Sequence, residues 1–176
     1  MFYLFPVQNN IKIIVADWAS GEVRRSRLRA QADVEIDFGQ ILNIHPLNRI
    51  FCEDRIFAEY FDNRFLEGVP VFVRCEGAID YNWQQGSPDA SVPVDDFSVR
   101  WTGIFPFEDG NYLFFMLTDD GAKIYVDGNV AFNAWLDQAV KAYSVNVPMT
   151  VGQHEIRYEY YEHTVNAEFH ASWIKL

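Results

Sequence analysis

Thr118-Asp119-Asp120-Gly121-Ala122-Lys123-Ile124-Tyr125-Val126-Asp127-Gly128 sets one short strand, residues 123–126, between two turn signals, Asp-Asp-Gly and Asp-Gly. Asp side chains bond nearby backbone amides and Gly accepts positive φ, so both tripeptide ends read as places where a strand stops and the chain reverses. The same grammar continues outward. Asp109-Gly110-Asn111 opens a strand at residues 112–117, and Gly152 opens a long one at 154–161 followed by another at 167–174. Upstream, residues 57–61 lead into the turn-rich Asp62-Asn63-Arg64, residues 69–74 form a further strand, and a loop through Gly86-Ser87-Pro88-Asp89 leads to Phe97-Ser98-Val99-Arg100-Trp101. Phe97, Val99 and Trp101 share one face of that strand, the period-2 pattern of a half-buried sheet. Short strands at this spacing predict an all-β sandwich or barrel, with one helical turn expected at residues 135–142.

Composition agrees. The 176 residues suffice for one domain of ordinary size with a small appendage, and 15 Phe, 9 Tyr and 5 Trp favour strands over helices. The net charge of −11 excludes electrostatic capture of nucleic acid or anionic lipid, which both require a basic surface. The charge is unevenly placed. Residues 1–50 carry six Lys+Arg against five Asp+Glu, about +1, so the remainder carries about −12 and suits divalent cations better than polyanions. No apolar run is long enough to span a membrane. The opening Met1-Phe2-Tyr3-Leu4-Phe5-Pro6-Val7 lacks a basic flank and makes a poor signal peptide. Cys52 and Cys75 allow either one disulfide or two buried thiols.

The first fifty residues read as a separate β segment, with strands at 11–18, 22–29 and 34–38. Val34, Ile36 and Phe38 alternate there with Glu35 and Asp37. The basic run Arg24-Arg25-Ser26-Arg27-Leu28-Arg29 fits either an edge strand blunted by charge or a dock for an acidic surface. Residues 51–176 form the main domain.

A series of motifs in order carries a family resemblance: Glu59-Tyr60-Phe61, Ile79-Asp80-Tyr81-Asn82-Trp83, Gly86-Ser87-Pro88, Asp96-Phe97-Ser98-Val99-Arg100-Trp101-Thr102-Gly103, Gly110-Asn111-Tyr112-Leu113-Phe114, the stretch from Thr118 to Gly128, Trp135, and Tyr158-Glu159-Tyr160-Tyr161-Glu162. Over residues 57–174 the chain resembles the PA14 domain family. The resemblance implies a compact antiparallel β-barrel or sandwich, found in glycosidases, adhesins, toxins and other extracellular surface proteins. In the adhesin branch it implies paired aspartates that hold calcium, which in turn binds vicinal sugar hydroxyls; in other branches the domain is structural.

Consecutive strand residues point to opposite faces, so Asp119 and Asp120 converge on one ion only if the backbone bends. The resemblance implies a cis peptide between them in calcium-binding members. Two adjacent carboxylates repel unless a cation or a proton intervenes, and calcium asks for about six to eight oxygens. The further ligands implied by the family lie on the loop Glu162-His163-Thr164-Val165-Asn166, where Asn166 offers an amide oxygen. The metal candidates are therefore Asp119, Asp120 and Asn166, and the ligand-binding candidates Asp119, Asp120, Glu162, Thr164 and Asn166. His163 and Val165 are bulkier than the glycines expected of sugar binders in this loop. The alternative for Asp119-Asp120-Gly121 is a plain hairpin turn.

No nucleophile, base and orienting group stand together, and the four histidines do not adopt zinc spacing, so no enzymatic activity is expected. Trp83, Trp101, Trp135 and Trp173 read as core rather than as a sugar-stacking platform. Two functions remain. One is a non-catalytic, extracellular or cell-surface module that joins protein partners in a larger assembly; the alternative is a calcium-dependent carbohydrate-binding module with glycan partners.

Overall fold

A computed structural model of the chain describes residues 3–6, 12–15, 52 and 55–176. The chain divides into two units, Met1–Phe51 and Cys52–Leu176. In the first, β1 (Tyr3–Pro6) pairs antiparallel with β2 (Lys12–Val15). The strands expected at 22–29 and 34–38, and the arginine cluster, lie outside the described residues.

The second unit is an all-β sandwich. Its strands are β3 (Ile56–Phe61), β4 (Phe72–Glu76), β5 (Ile79–Gln84), β6 (Phe97–Phe107), β7 (Gly110–Asp119), β8 (Gly121–Val126), β9 (Asn129–Ala134), β10 (Lys141–Met149), β11 (Gly152–Glu162) and β12 (Ala167–Lys175). A six-stranded sheet runs β4-β3-β6-β11-β8-β9 and a four-stranded sheet runs β10-β7-β12-β5. Every pairing is antiparallel, and the two sheets do not close into a barrel. No helix occurs among the described residues, so none there is long and apolar enough to cross a membrane.

The helical turn expected at residues 135–142 is absent. Residues 135–140 form a loop, and Lys141 already belongs to β10, whose Tyr143, Val145, Val147 and Met149 turn inward at period 2 while their neighbours face solvent. Alternation of exactly this kind outweighs the helix-compatible residues that precede it.

Between the sheets the core is aromatic. Trp101 is fully buried and stacks on Phe169 at 5.0 Å, with Tyr160 tilted against both rings. Trp83 and Trp173 pack against this core from its edges, as expected. Trp135 does not. It follows β9 in the loop, on the outer side of the six-stranded sheet, where its ring lies 4.7 Å from Tyr161 and beneath the Lys123 ammonium at 4.2 Å.

Glu76 is a carboxylate satisfied within the core. Glu76, 5% exposed, accepts from Tyr60 Oη (2.5 Å) and Arg74 Nε (2.5 Å) on Oε1 and from the Trp101 indole N–H (2.6 Å) on Oε2. Burial and the Glu76 charge push the Tyr60 phenol far above its ordinary value, which keeps it a donor. Beside this cluster Cys52 and Cys75 are joined in a disulfide, with Cα atoms 5.4 Å apart, which settles the open choice between a bridge and two thiols.

At the far end of the sandwich, His154 Nδ1 lies 2.6 Å from Asp127 Oδ2 and Nε2 lies 3.0 Å from the Thr150 carbonyl. Both ring nitrogens face acceptors, so the doubly protonated ring fits best, and the Asp127 hydrogen bond raises the His154 pKa above 6.5.

Two outcomes are expected. Glu76→Ala leaves the Trp101 N–H and the Tyr60 hydroxyl without an acceptor and costs about 3–5 kcal/mol in chemical denaturation; a loss below about 1 kcal/mol would show that the cluster is dispensable. Because the folded-state pKa of His154 lies above its unfolded value, its contribution is full below pH 6.5 and fades as pH rises through the raised value. Melting curves of wild type and His154→Ala should therefore differ most at acidic pH and converge toward alkaline pH, and a constant gap would remove His154⁺ as the cause.

Candidate functional site

The Asp119-Asp120-Gly121 step is not a hairpin turn. β7 ends at Asp119 in the four-stranded sheet and β8 begins at Gly121 in the six-stranded sheet, and these two strands do not pair with each other. The chain therefore crosses from one sheet to the other at Asp120, through a cis peptide bond between the two aspartates. Gly121 is needed here for space rather than for positive φ. A Cβ at this position would run into the ring of Tyr161, its register partner on β11. Asp127-Gly128, by contrast, is the hairpin its sequence suggests, with φ of 49° and 76° joining β8 to β9.

The crossing buries Asp120 to 6% exposure and clamps its carboxylate between two backbone donors, Gln138 N–H to Oδ1 at 2.8 Å and His163 N–H to Oδ2 at 2.9 Å. The Asp120 carbonyl accepts from Thr118 Oγ1 (3.0 Å) and from the Gln138 side-chain amide (3.1 Å). Tyr143 Oη in turn donates to Gln138 Oε1 at 2.6 Å. Asp119 is partly exposed; burial first and then the Asp120 charge raise its carboxyl above the ordinary carboxylate range.

The third acid is Glu162, the last residue of β11 and wholly buried. One oxygen of each of Asp119, Asp120 and Glu162 lies within 4.8 Å of the others. The Tyr160 hydroxyl donates to the Asp119 carbonyl at 2.5 Å and reaches Glu162 Oε2 at 3.3 Å. Glu162 Oε1 has no hydrogen-bond partner among the described residues. Burial, then the charges of Asp120 and Asp119, push the Glu162 carboxyl up to about 8.

Asp119, Asp120, Thr164 and Asn166 line one cleft of about 250 Å³, so four of the five expected ligand-binding residues meet there, with Glu162 packed against the aspartates beneath. Gln138 also lines the cleft. The sequence reading missed it because its loop was expected to be helical. His163 does not line the cleft: its backbone grips Asp120 while its ring turns to Asp137 at 3.1 Å, so its bulk does not narrow the opening. Val165 does line it, with φ of 84°.

A hard dication fits these donors. They are all oxygens, three come from carboxylates that repel one another, and a buried acceptor without a donor is what a cation would satisfy. Asp119, Asp120 and Glu162, with the Asn166 amide, would hold it.

Comparisons with known proteins place the chain. The anti-sigma-I factor RsgI3 of Acetivibrio thermocellus is 35% identical over 117 residues, covering 65% of this chain and 18% of that protein. An anti-sigma factor domain-containing protein of known structure superposes with TM-score 0.63 at 33% identity, over 68% of this chain and 42% of its own. A second, from Clostridium clariflavum, gives TM-score 0.64 at 28% identity, over 72% and 44%. The chain thus spans less than half the length of each of these relatives. The family model described as PA14 domain matches residues 56–176, the whole sandwich with its carboxylate crossing, and the chain belongs to the PA14 domain family.

Proposed function

We propose that the sandwich is a non-catalytic, extracellular recognition module that binds a glycan through a calcium ion held by Asp119, Asp120, Glu162 and Asn166. The observation that carries this reading is Glu162 Oε1, fully buried beside two further carboxylates and without a donor. Three acids held together are relieved either by a cation or by the proton that Glu162 keeps when its pKa is raised, and the oxygen-rich lining of the cleft favours the cation. When bound, calcium supplies positive charge and open coordination positions that vicinal sugar hydroxyls can fill.

The chain's own contribution is positioning. The Gln138 and His163 amides fix both oxygens of Asp120, and the Tyr160 hydroxyl fixes the Asp119 carbonyl, so little reorganisation is left for the moment of binding. Thr164 and Asn166, whose side chains make no hydrogen bond among the described residues, stand at the cleft as the adaptable polar groups.

The similarity to anti-sigma factors, proteins much longer than this chain, supports a place for the module within a larger protein, where ligand occupancy is passed on to a protein partner. Joining an assembly and recognising a glycan are then two parts of one sensing role.

Calorimetric titration with calcium chloride, followed by a glycan array with and without chelator, tests the proposal. One calcium ion is expected to bind, with Asp120→Asn weakening it at least tenfold and chelator abolishing glycan capture. Absence of binding at millimolar calcium would end the reading. Glu162→Gln gives a sharper check. Since the folded protein raises the pKa of this acid, an amide that needs no proton uptake on folding should raise the melting temperature at neutral pH in chelator while reducing the stabilisation that excess calcium gives. A purely structural Glu162 would instead lower the melting temperature under both conditions.

A further inference from the structure

The loop that joins β3 to β4 holds a phenylalanine in water. Ser98 Oγ, fully buried, donates to the Asn63 carbonyl at 2.6 Å and accepts from the Leu66 N–H at 3.2 Å. The Asn63 side chain accepts from the N–H groups of Phe65 (3.0 Å) and Glu67 (3.2 Å) and donates its amide to the Glu67 carbonyl at 2.9 Å. Leu66 is held in the left-handed region, at φ 58°, which a residue with a side chain adopts only at a cost. Within this heavily fixed backbone Phe65 stands 61% exposed. A ring ordered in advance and left uncovered has little freedom to lose on meeting a partner.

Phe65 begins a continuous ledge. The Arg64 guanidinium lies 5.7 Å from the Phe65 ring and 5.8 Å from the Tyr161 ring, Tyr161 lies 4.7 Å from Trp135, and the Lys123 ammonium lies 4.2 Å from Trp135. Arg64 is fixed further by Asp96 (3.2 Å) and Asp137 (3.5 Å), and Leu136, beside Asp137 in the chain, is 51% exposed. Aromatic rings interleaved with arginine are the composition of a protein-binding hot spot. The margin is acidic. Asp62, Glu67, Asp95, Asp96 and Asp137 are all exposed, against Arg64 and Lys123. Such a margin repels an anionic lipid surface and a second copy of this chain, which brings the same acids, and it attracts a cationic partner. We infer that the ledge docks a protein segment that sets an apolar side chain against Phe65 and Leu136 and an arginine or lysine against the acidic margin. The inference gives the protein partner of the reading above a place to bind, and it rests on that part of the reading. Ledge and cleft are built on the same two loops: Asp137 also meets the His163 ring at 3.1 Å, while the Gln138 and His163 amides grip Asp120.

The test pans a displayed library of random peptides, about twelve residues long, against the full chain and titrates the recovered peptides. Peptides that pair arginine or lysine with a large apolar residue are expected. Their binding should weaken at least tenfold in Phe65→Ala and in Leu136→Ser, and at least threefold between about 0.05 M and about 0.5 M salt. Both side chains are exposed, so the variants should keep the wild-type melting temperature, and Ile174→Ala, similarly exposed at the opposite end of the sandwich, should leave binding unchanged. Recovered peptides without an excess of cations, peptides whose affinity Phe65→Ala leaves unchanged, or a library that yields no binder would each overturn the inference. A calcium titration of the same samples reads the cleft separately. Ledge binding without calcium binding ends the calcium–glycan reading and leaves the ledge standing, and calcium binding without ledge binding does the reverse.

Discussion

Asp120 is the one residue between the end of a strand in one sheet and the start of a strand in the other, and the ring of Tyr161 leaves no room beside Gly121 for the chain to swing wide. This tight crossing sets the rest of the site. It draws Asp120 out of water, so its carboxylate needs internal donors, and the nearest come from the 135–140 loop and from the end of β11. Those same anchors bring in Gln138 on one side and Glu162 on the other. A geometric requirement for passing between layers thus becomes a concentration of negative charge at one end of the sandwich.

Elsewhere the same fold handles a buried acid differently. Glu76 is surrounded by a phenol, an indole and a guanidinium, each donating to it, and it needs nothing from outside. Glu162 has one hydroxyl nearby, shared with a backbone carbonyl that lies closer to it, and its other oxygen has no partner among the described residues. Both acids are buried and both lie at strand ends, yet one is paired with a guanidinium and the other is set beside two further carboxylates. The contrast sets a carboxylate satisfied by internal donors apart from one that is not.

Much of the sandwich was legible because its strands follow simple alternation: Phe97, Val99 and Trp101 face inward, and the glycine turns sit near strand ends. The errors had local causes. Thr118 to Gly121 reads as a hairpin because the composition of a turn and of a layer crossing is the same; which sheet each flanking strand joins depends on partners forty residues away on β11. Residues 135–140 resemble a helical turn because Leu, Gln and Ala are good helix formers, while their actual course is fixed by the Gln138 bonds to Asp120. Trp135 was expected in the core because the family pattern puts most of these tryptophans on structural strands, and its placement outside the sheet follows from the loop path. The candidate ligands were readable from motif order, but the gap in hydrogen bonding at Glu162 exists only in three dimensions.

The strand order also bears on how the module is made. β12, its last strand to leave the ribosome, sits between β7 and β5, so the four-stranded layer has a vacant lane until the whole module has been synthesised. Until then Phe169 is missing from its place against Trp101, and the inner edges of β5 and β7 await a partner made some fifty to ninety residues later. The acidic end of the sandwich is therefore among the last features to take shape, since Asn166 and Thr164 arrive with the loop that delivers β12. A nascent chain cannot assemble this cleft before its core is closed, so the carboxylate cluster comes together only in molecules whose folding is complete.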